Sequence, residues 1–121
     1  MPRPLDITIK LVSYICMSIS SPTARSLAAL GHDARLAIFR LLVNAGPGGL
    51  TVGEIRGELD LAASTLAHHL RTLVDAGLVA QEKQGRDVIS RVDFVEMNRV
   101  LDFLKSECCT GVTPRRTEAM V

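Results

Sequence analysis

Apolar and polar residues alternate at the start of the chain, where Leu5, Ile7, Ile9 and Leu11 occupy every second position. A period of two predicts a strand or an irregular arm. After Ser21-Pro22 the period lengthens to that of a helix: TARSLAALG predicts a short one, and DARLAIFRLLVNA a second, with Asp33 as its N-cap and Leu36, Phe39, Leu42 and Val43 on one face. The run GPGG at 46–49 stops it. Thr51 followed by Glu54 has the spacing of a capping box, in which each side chain satisfies an orphan backbone donor, so TVGEIRGEL predicts a third helix. In AASTLAHHLRTLVDAG, the residues Leu66, Leu70, Leu73 and Val74 repeat at helical spacing, and Gly77 stands where a helix ending in a left-handed residue needs one. LVAQEKQGRDVISRVDF returns to alternation on both sides of Gln84-Gly85, which predicts a compact hairpin. FVEMNRVLDFLKSE is helical again, and its apolar stripe of Phe94, Met97, Val100, Leu101 and Leu104 is broad enough to predict burial against a second subunit as well as its own core. The closing TGVTPRRTEAMV has no periodicity and is expected to fray.

The chain of 121 residues is one domain by length. The expected organisation is an N-terminal arm at 1–22, a core domain at 23–110 and a flexible tail at 111–121, with Met17 as an alternative initiator that would remove most of the arm. The predicted class is mainly α with a small β-hairpin. A net charge of +1, from 14 basic against 13 acidic residues, provides no global positive field, so any nucleic-acid contact must come from a local patch. The cysteine total, 3, is odd and irregularly placed, which argues against a disulfide framework and for free thiols in a reducing compartment. LVSYICMSIS is too short for a membrane span, and SPTA is a poor signal-cleavage site, so the expected location is the cytoplasm with no membrane partner.

Two helices joined by a short turn, the second followed at once by a hairpin, have the order of a winged helix-turn-helix. The second helix then presents Ser64, Thr65, His68, His69, Arg71 and Thr72 opposite its leucines, small polar and basic groups suited to base edges and phosphates. Lys83 and Arg86 fall at the hairpin tip as candidate phosphate contacts, with Arg91 nearby. A solvated polar face of an ordinary soluble helix fits the same residues, and periodicity leaves the two readings open. Catalysis is not expected. No Gly-rich phosphate loop, paired carboxylates or nucleophile motif accompanies the histidines, and the vicinal Cys108-Cys109 lacks the Cys-x-x-Cys spacing of a thiol oxidoreductase.

Three ordered segments, GHDARLAIFRLL (31–42), STLAHHLRTLVDAGLV (64–79) and QGRDVISRV (84–92), together resemble the ArsR-type winged-helix repressors of bacteria. The resemblance runs from about Thr23 to Gly111. It implies a homodimer joined through the first and last helices, double-stranded operator DNA as partner, and Ser64, Thr65, His68, Arg71 and His69 as contacts of the recognition helix. It also implies repression in the free state and release when an inducer binds, often a thiophilic metal or metalloid.

The ligand inventory narrows the inducer. The third-helix cysteine cluster of some relatives is missing from LTVGEIRGEL, and FVEMNRVLDFLKSE has no histidine for the zinc site that other relatives carry there. Cys108-Cys109 resembles the Glu-Cys-Cys ending of arsenic-responsive members, which implies capture of trivalent arsenic by soft thiolates and no resident cofactor. Relatives with that ending usually have another cysteine a few residues later, and this tail has none. Either Cys16 completes the site as third ligand, or two thiolates suffice for an organic arsenical such as methylarsenite. Antimonite belongs to the same class. A redox-responsive repressor that uses cysteine oxidation is the alternative, and a small buried hydrophobic role for either cysteine the plainest one.

Overall fold

The computed structural model describes residues 21–112. The alternating stretch from Leu5 to Leu11, Cys16, Met17 and the tail after 112 lie outside the described residues. The element order is α1 (Pro22–Leu30), α2 (Asp33–Ala45), a 3-10 turn (Gly46–Gly48), β1 (Leu50–Thr51), α3 (Val52–Glu58), α4 (Ala63–Asp75), β2 (Val79–Gln84), β3 (Asp87–Val92) and α5 (Phe94–Lys105). The fold is therefore mainly helical, as expected, with a small antiparallel sheet.

Each helix starts for a local reason. Pro22 occupies the first turn of α1, where its missing N–H costs nothing. In α3 both halves of the capping box form: Thr51 Oγ1 accepts from Glu54 N at 3.1 Å and Glu54 Oε1 accepts from Thr51 N at 3.0 Å. Asp93 caps α5 by accepting from Glu96 N. The cap of α2 corrects the expectation. His32, in extended conformation, accepts from Ala34 N through Nδ1 at 3.1 Å, and Asp33 is the first helical residue instead. There its carboxylate still favours the positive end of the helix dipole.

The core gathers Ile38 and Leu42 of α2, Ile55 of α3, Leu66, Leu70 and Leu73 of α4, and Leu78, Val79 and Val92 from the sheet and its approach. The predicted apolar face of α2 divides: Phe39 and Leu42 are buried, while Leu36 and Val43 remain 43% and 36% exposed on the flank. The fully buried Ile38 takes their place beneath α4, because the inward direction of α2 is centred on the Ile38–Leu42 row. Leu36 and Val43 instead line an apolar groove of about 800 Å³ with Leu27, Met97, Leu101 and Leu104, between α1, α2 and α5.

The expected hairpin forms, with β2 and β3 paired from Val79↔Val92 to Gln84↔Asp87 around a two-residue loop. Gly85 stands first in that loop at φ +64, the position a type II′ turn reserves for glycine. The sheet is larger than predicted. Leu50 and Thr51 pair with Ser90 and Ile89, giving the order β1-β3-β2. A two-residue strand is too short to show a period, so only β3 reveals it.

Gly49 enters that strand at φ +69, and a Cβ there would collide with the Ser90 carbonyl oxygen. Gly49→Ala is therefore expected to lower stability by about 2 kcal/mol or more, read as a fall in the urea midpoint. Among the described residues no helix is long and apolar enough to cross a membrane.

Candidate DNA interface and cysteine pair

α4 is held on one side by its leucines and at its end by a complete Schellman closure. Leu78 N donates to Leu73 O at 3.1 Å and Gly77 N to Val74 O at 2.9 Å, with Gly77 at φ +83 as its position required. Its start has no side-chain cap, since Ala62 precedes it. The first-turn amides are thus left to solvent or to a phosphate oxygen.

Ser64, Thr65, His68 and Arg71 are all exposed on the outer face of α4. Thr72 turns back, its hydroxyl donating to His68 O at 3.2 Å. His69 leaves the predicted set. It is only 7% exposed and points into the body of the domain, where its ring lies 4.8 Å from that of His32. The reason is its place on the wheel: it stands one turn from both Leu66 and Leu73, the two innermost residues of α4.

Lys83 and Arg86 are exposed at the tip of the β2–β3 wing. Arg91 is engaged across the hairpin, its Nη2 lying 2.9 Å from Glu82 Oε2. The outer face of α4 and the wing tip together carry Arg71, Lys83 and Arg86, cations separated along one side of the domain and able to meet successive phosphates.

A polar relay links the opposite end of the molecule to α4. Ser26 of α1, fully buried, lies 3.2 Å from the carbonyl of Ala76, the C-cap of α4, and 3.3 Å from Glu96 Oε1 on α5. Both partners only accept, so the single hydroxyl proton is shared between them. Arg99 grips Glu96 through Nε and Nη2 at 2.9 and 2.6 Å and reaches Thr23 Oγ1 at 2.8 Å. That guanidinium is the main reason the Glu96 carboxyl titrates below the usual range.

The cysteine pair was expected at the end of the last helix. α5 stops at Lys105, and Cys108 and Cys109 lie beyond it in a chain of tight turns, both exposed. Glu107 and Cys109 have left-handed φ values of 59° and 63°. On a continuing helix neighbouring side chains would diverge by about 100°. The left-handed turns instead bring the two Sγ atoms to 2.9 Å. The Cys109 sulfur beside it, and then burial, raise the Cys108 pKa above its ordinary value. Among the described residues no group of three His, Cys, Asp or Glu side chains is placed to hold a metal.

A helix pair that presents a polar, basic second helix, followed by a three-stranded wing, defines a winged helix-turn-helix protein. Comparison with known proteins agrees: a family model described as a helix-turn-helix domain matches residues 30–82. Among curated relatives, the uncharacterized HTH-type transcriptional regulator YceK of Bacillus subtilis is 34% identical over 76 residues, 61% of this chain and 75% of that protein. The transcriptional activator HlyU of Vibrio cholerae is 30% identical over 83 residues, 69% of this chain and 74% of that one. The putative arsenical resistance operon repressor ArsR of Halobacterium salinarum is 40% identical over 60 residues, 50% and 46% of the two chains.

Solved structures extend the likeness to the fold. An ArsR-like transcriptional regulator from Rhodococcus sp. RHA1 superposes with a TM-score of 0.63 at 26% identity, covering 73% of this chain and 80% of that one. A homodimeric winged helix-turn-helix domain from Mycobacterium bovis does so with a TM-score of 0.58 at 22% identity, covering 80% and 91%. The chain belongs to the ArsR-like family of helix-turn-helix transcriptional regulators, proteins that bind DNA rather than catalyse a reaction.

Proposed function

We propose that this regulator is a homodimeric repressor that leaves its operator when Cys108 and Cys109 capture a trivalent arsenical. The observation that carries the reading is the pair of exposed sulfurs 2.9 Å apart, close enough for one atom to bond both. Capture needs no oxidant. Each thiol passes its proton to a departing hydroxide, so two As–S bonds form, two As–O bonds break and two waters leave. Soft thiolates favour such an ion over the hard and borderline metals. The raised Cys108 pKa argues against the alternative of a peroxide-sensing thiol, which needs a stabilised thiolate. The arsenical-resistance name of the Halobacterium relative supports the same inducer class, while the activator name of HlyU makes the sign of regulation part of the test.

Dimerisation is supported by the groove between α1, α2 and α5, which leaves Leu101 and Leu104 half exposed in one chain. The homodimeric Mycobacterium bovis neighbour has the same fold. Two copies joined there set the two α4 helices at a fixed spacing for an imperfect palindrome. The route from the cysteines to DNA runs along α5 to Glu96, across to Ser26 and on to the C-cap of α4 at Ala76. Arsenical and DNA then prefer different settings of α5, and each weakens the other's binding by the same factor.

Ser64, Thr65, His68 and Arg71 read the bases and neighbouring phosphates, and Lys83 and Arg86 hold the flanking backbone. Cys16 is the proposed third ligand for inorganic arsenite. Methylarsenite, whose carbon already fills one position, needs only the pair.

The test is fluorescence anisotropy of the reduced protein on DNA from its own promoter, titrated with arsenite and with methylarsenite. Wild type is expected to dissociate, and Cys108→Ser/Cys109→Ser to bind equally well and stay bound. If Cys16→Ser loses the arsenite response but keeps that to methylarsenite, the third ligand is identified. Release by peroxide, reversed by dithiothreitol, with no response to either arsenical would replace this reading with redox sensing.

A further inference from the structure

Behind α4 lies a cluster of nitrogen groups that the DNA-facing residues do not account for. Arg35, in the first turn of α2, reaches two other elements. Its Nε donates to Ala29 O at the end of α1 at 2.6 Å, and its Nη1 lies 3.5 Å from His69 Nδ1 on the inner face of α4. A guanidinium only donates and does not lose its charge, so Nδ1 of His69 accepts, and the ring is neutral with its proton on Nε2. His32 is constrained in the same way from the other side. Its Nδ1 accepts from Ala34 N as the cap of α2, and its ring lies against that of His69. The end of α1, the start of α2 and the back of α4 thus meet through two imidazoles, each presenting a bare Nδ1.

We propose that His32, Arg35 and His69 form a catch that positions α4 for base reading and that opens when the imidazoles take up protons. Protonated His69 would turn an N–H toward the Arg35 guanidinium, exchanging a hydrogen bond for the approach of two cations. Protonated His32 would lose its cap on α2. The groups facing His69 offer no relief: Arg35 and His32 come from the α2 side, and His68 lies 5.6 Å away on α4 itself. Arg25 of α1 lines the adjoining pocket with Arg35, and Asp75 is the carboxylate there.

Burial, followed by the fields of His32, Arg35 and His68, holds the His69 pKa below its ordinary value of 6.5. For a base depressed on folding, the stabilisation is complete above the unfolded value and is lost as the pH falls through the folded one. Acid therefore opens the catch.

The proposal rests on α4 as the DNA-reading helix, and the experiment separates the two. Affinities of the full chain for its operator and for a scrambled duplex are measured at constant ionic strength from about pH 7.5 to about pH 5.5, across the imidazole range. Acid also charges the exposed His68, which strengthens binding to any DNA, so the readout is the ratio of the two affinities.

That ratio is expected to fall about tenfold, the effect of roughly one unit of pKa difference. His32→Asn/His69→Asn keeps an oxygen acceptor at both places without titrating. It should match wild type at neutral pH and keep its ratio in acid. Nitrogen-detected NMR should find His69 as the Nε2–H tautomer, titrating below the value of a free imidazole. An unchanged wild-type ratio, an equal fall in the double variant or an Nδ1–H tautomer would overturn the catch. Equal affinity for both duplexes at neutral pH would overturn the DNA reading on which it stands.

Discussion

Arg71→Ala is expected to weaken operator binding by about tenfold to a hundredfold, while leaving the thermal midpoint within a degree or so of wild type. Arg71 is exposed on the outer face of α4, and no salt bridge holds it among the described residues. Its loss removes a contact to DNA without opening the core. Loss confined to the operator would mean that Arg71 reads a base. An equal loss on scrambled DNA, with a salt slope shallower by about one unit, would mean that it holds a phosphate. His69→Ala has the opposite profile. Its side chain is buried, so the protein should lose stability first and affinity as a consequence. An operator affinity unchanged in Arg71→Ala would remove α4 from the interface.

Leu101→Glu/Leu104→Glu is expected to give a folded monomer whose operator affinity falls by at least a hundredfold. In one chain these leucines are 47% and 56% exposed along the groove beside Leu36 and Val43, so the new carboxylates are tolerated when the chain stands alone. In a dimer they would be buried without partners, at a cost of several kcal/mol per charge. A protein with one DNA-reading helix keeps only the single half-site affinity, because the second helix no longer binds at a high effective concentration. Light scattering and anisotropy on full and half operators check both parts. A variant that remains dimeric would place the interface elsewhere.

The cysteine pair is the clearest case of a site visible in sequence whose geometry was not. Two adjacent cysteines near the end of a predicted helix were legible, and so was the difficulty that helical neighbours diverge. The answer, left-handed φ at Glu107 and Cys109 after α5 has ended at Lys105, belongs to turns that no periodicity announces. His69 is the complementary case. It was read as one more polar residue on the outer face because a helical wheel has no record of which boundary positions a neighbouring helix covers. α2 covers it, through Arg35 and His32, residues 34 and 37 positions earlier in the chain.

The sequence by itself determined the elements whose causes are local. These include the capping box at Thr51 and Glu54, the left-handed stop at Gly77, the glycine turn at Gly85 and the leucine row of α4, each set by residues within one or two turns of each other. Tertiary structure alone decided what depends on distant partners: the pairing of Leu50-Thr51 with β3, the burial of Ser26 between Ala76 and Glu96, the inward turn of His69, and the groove left along α5. The physical reason is that caps and turns are satisfied by backbone groups the chain places beside them. A strand edge, a buried hydroxyl or a histidine between helices finds its partner only once remote segments have packed.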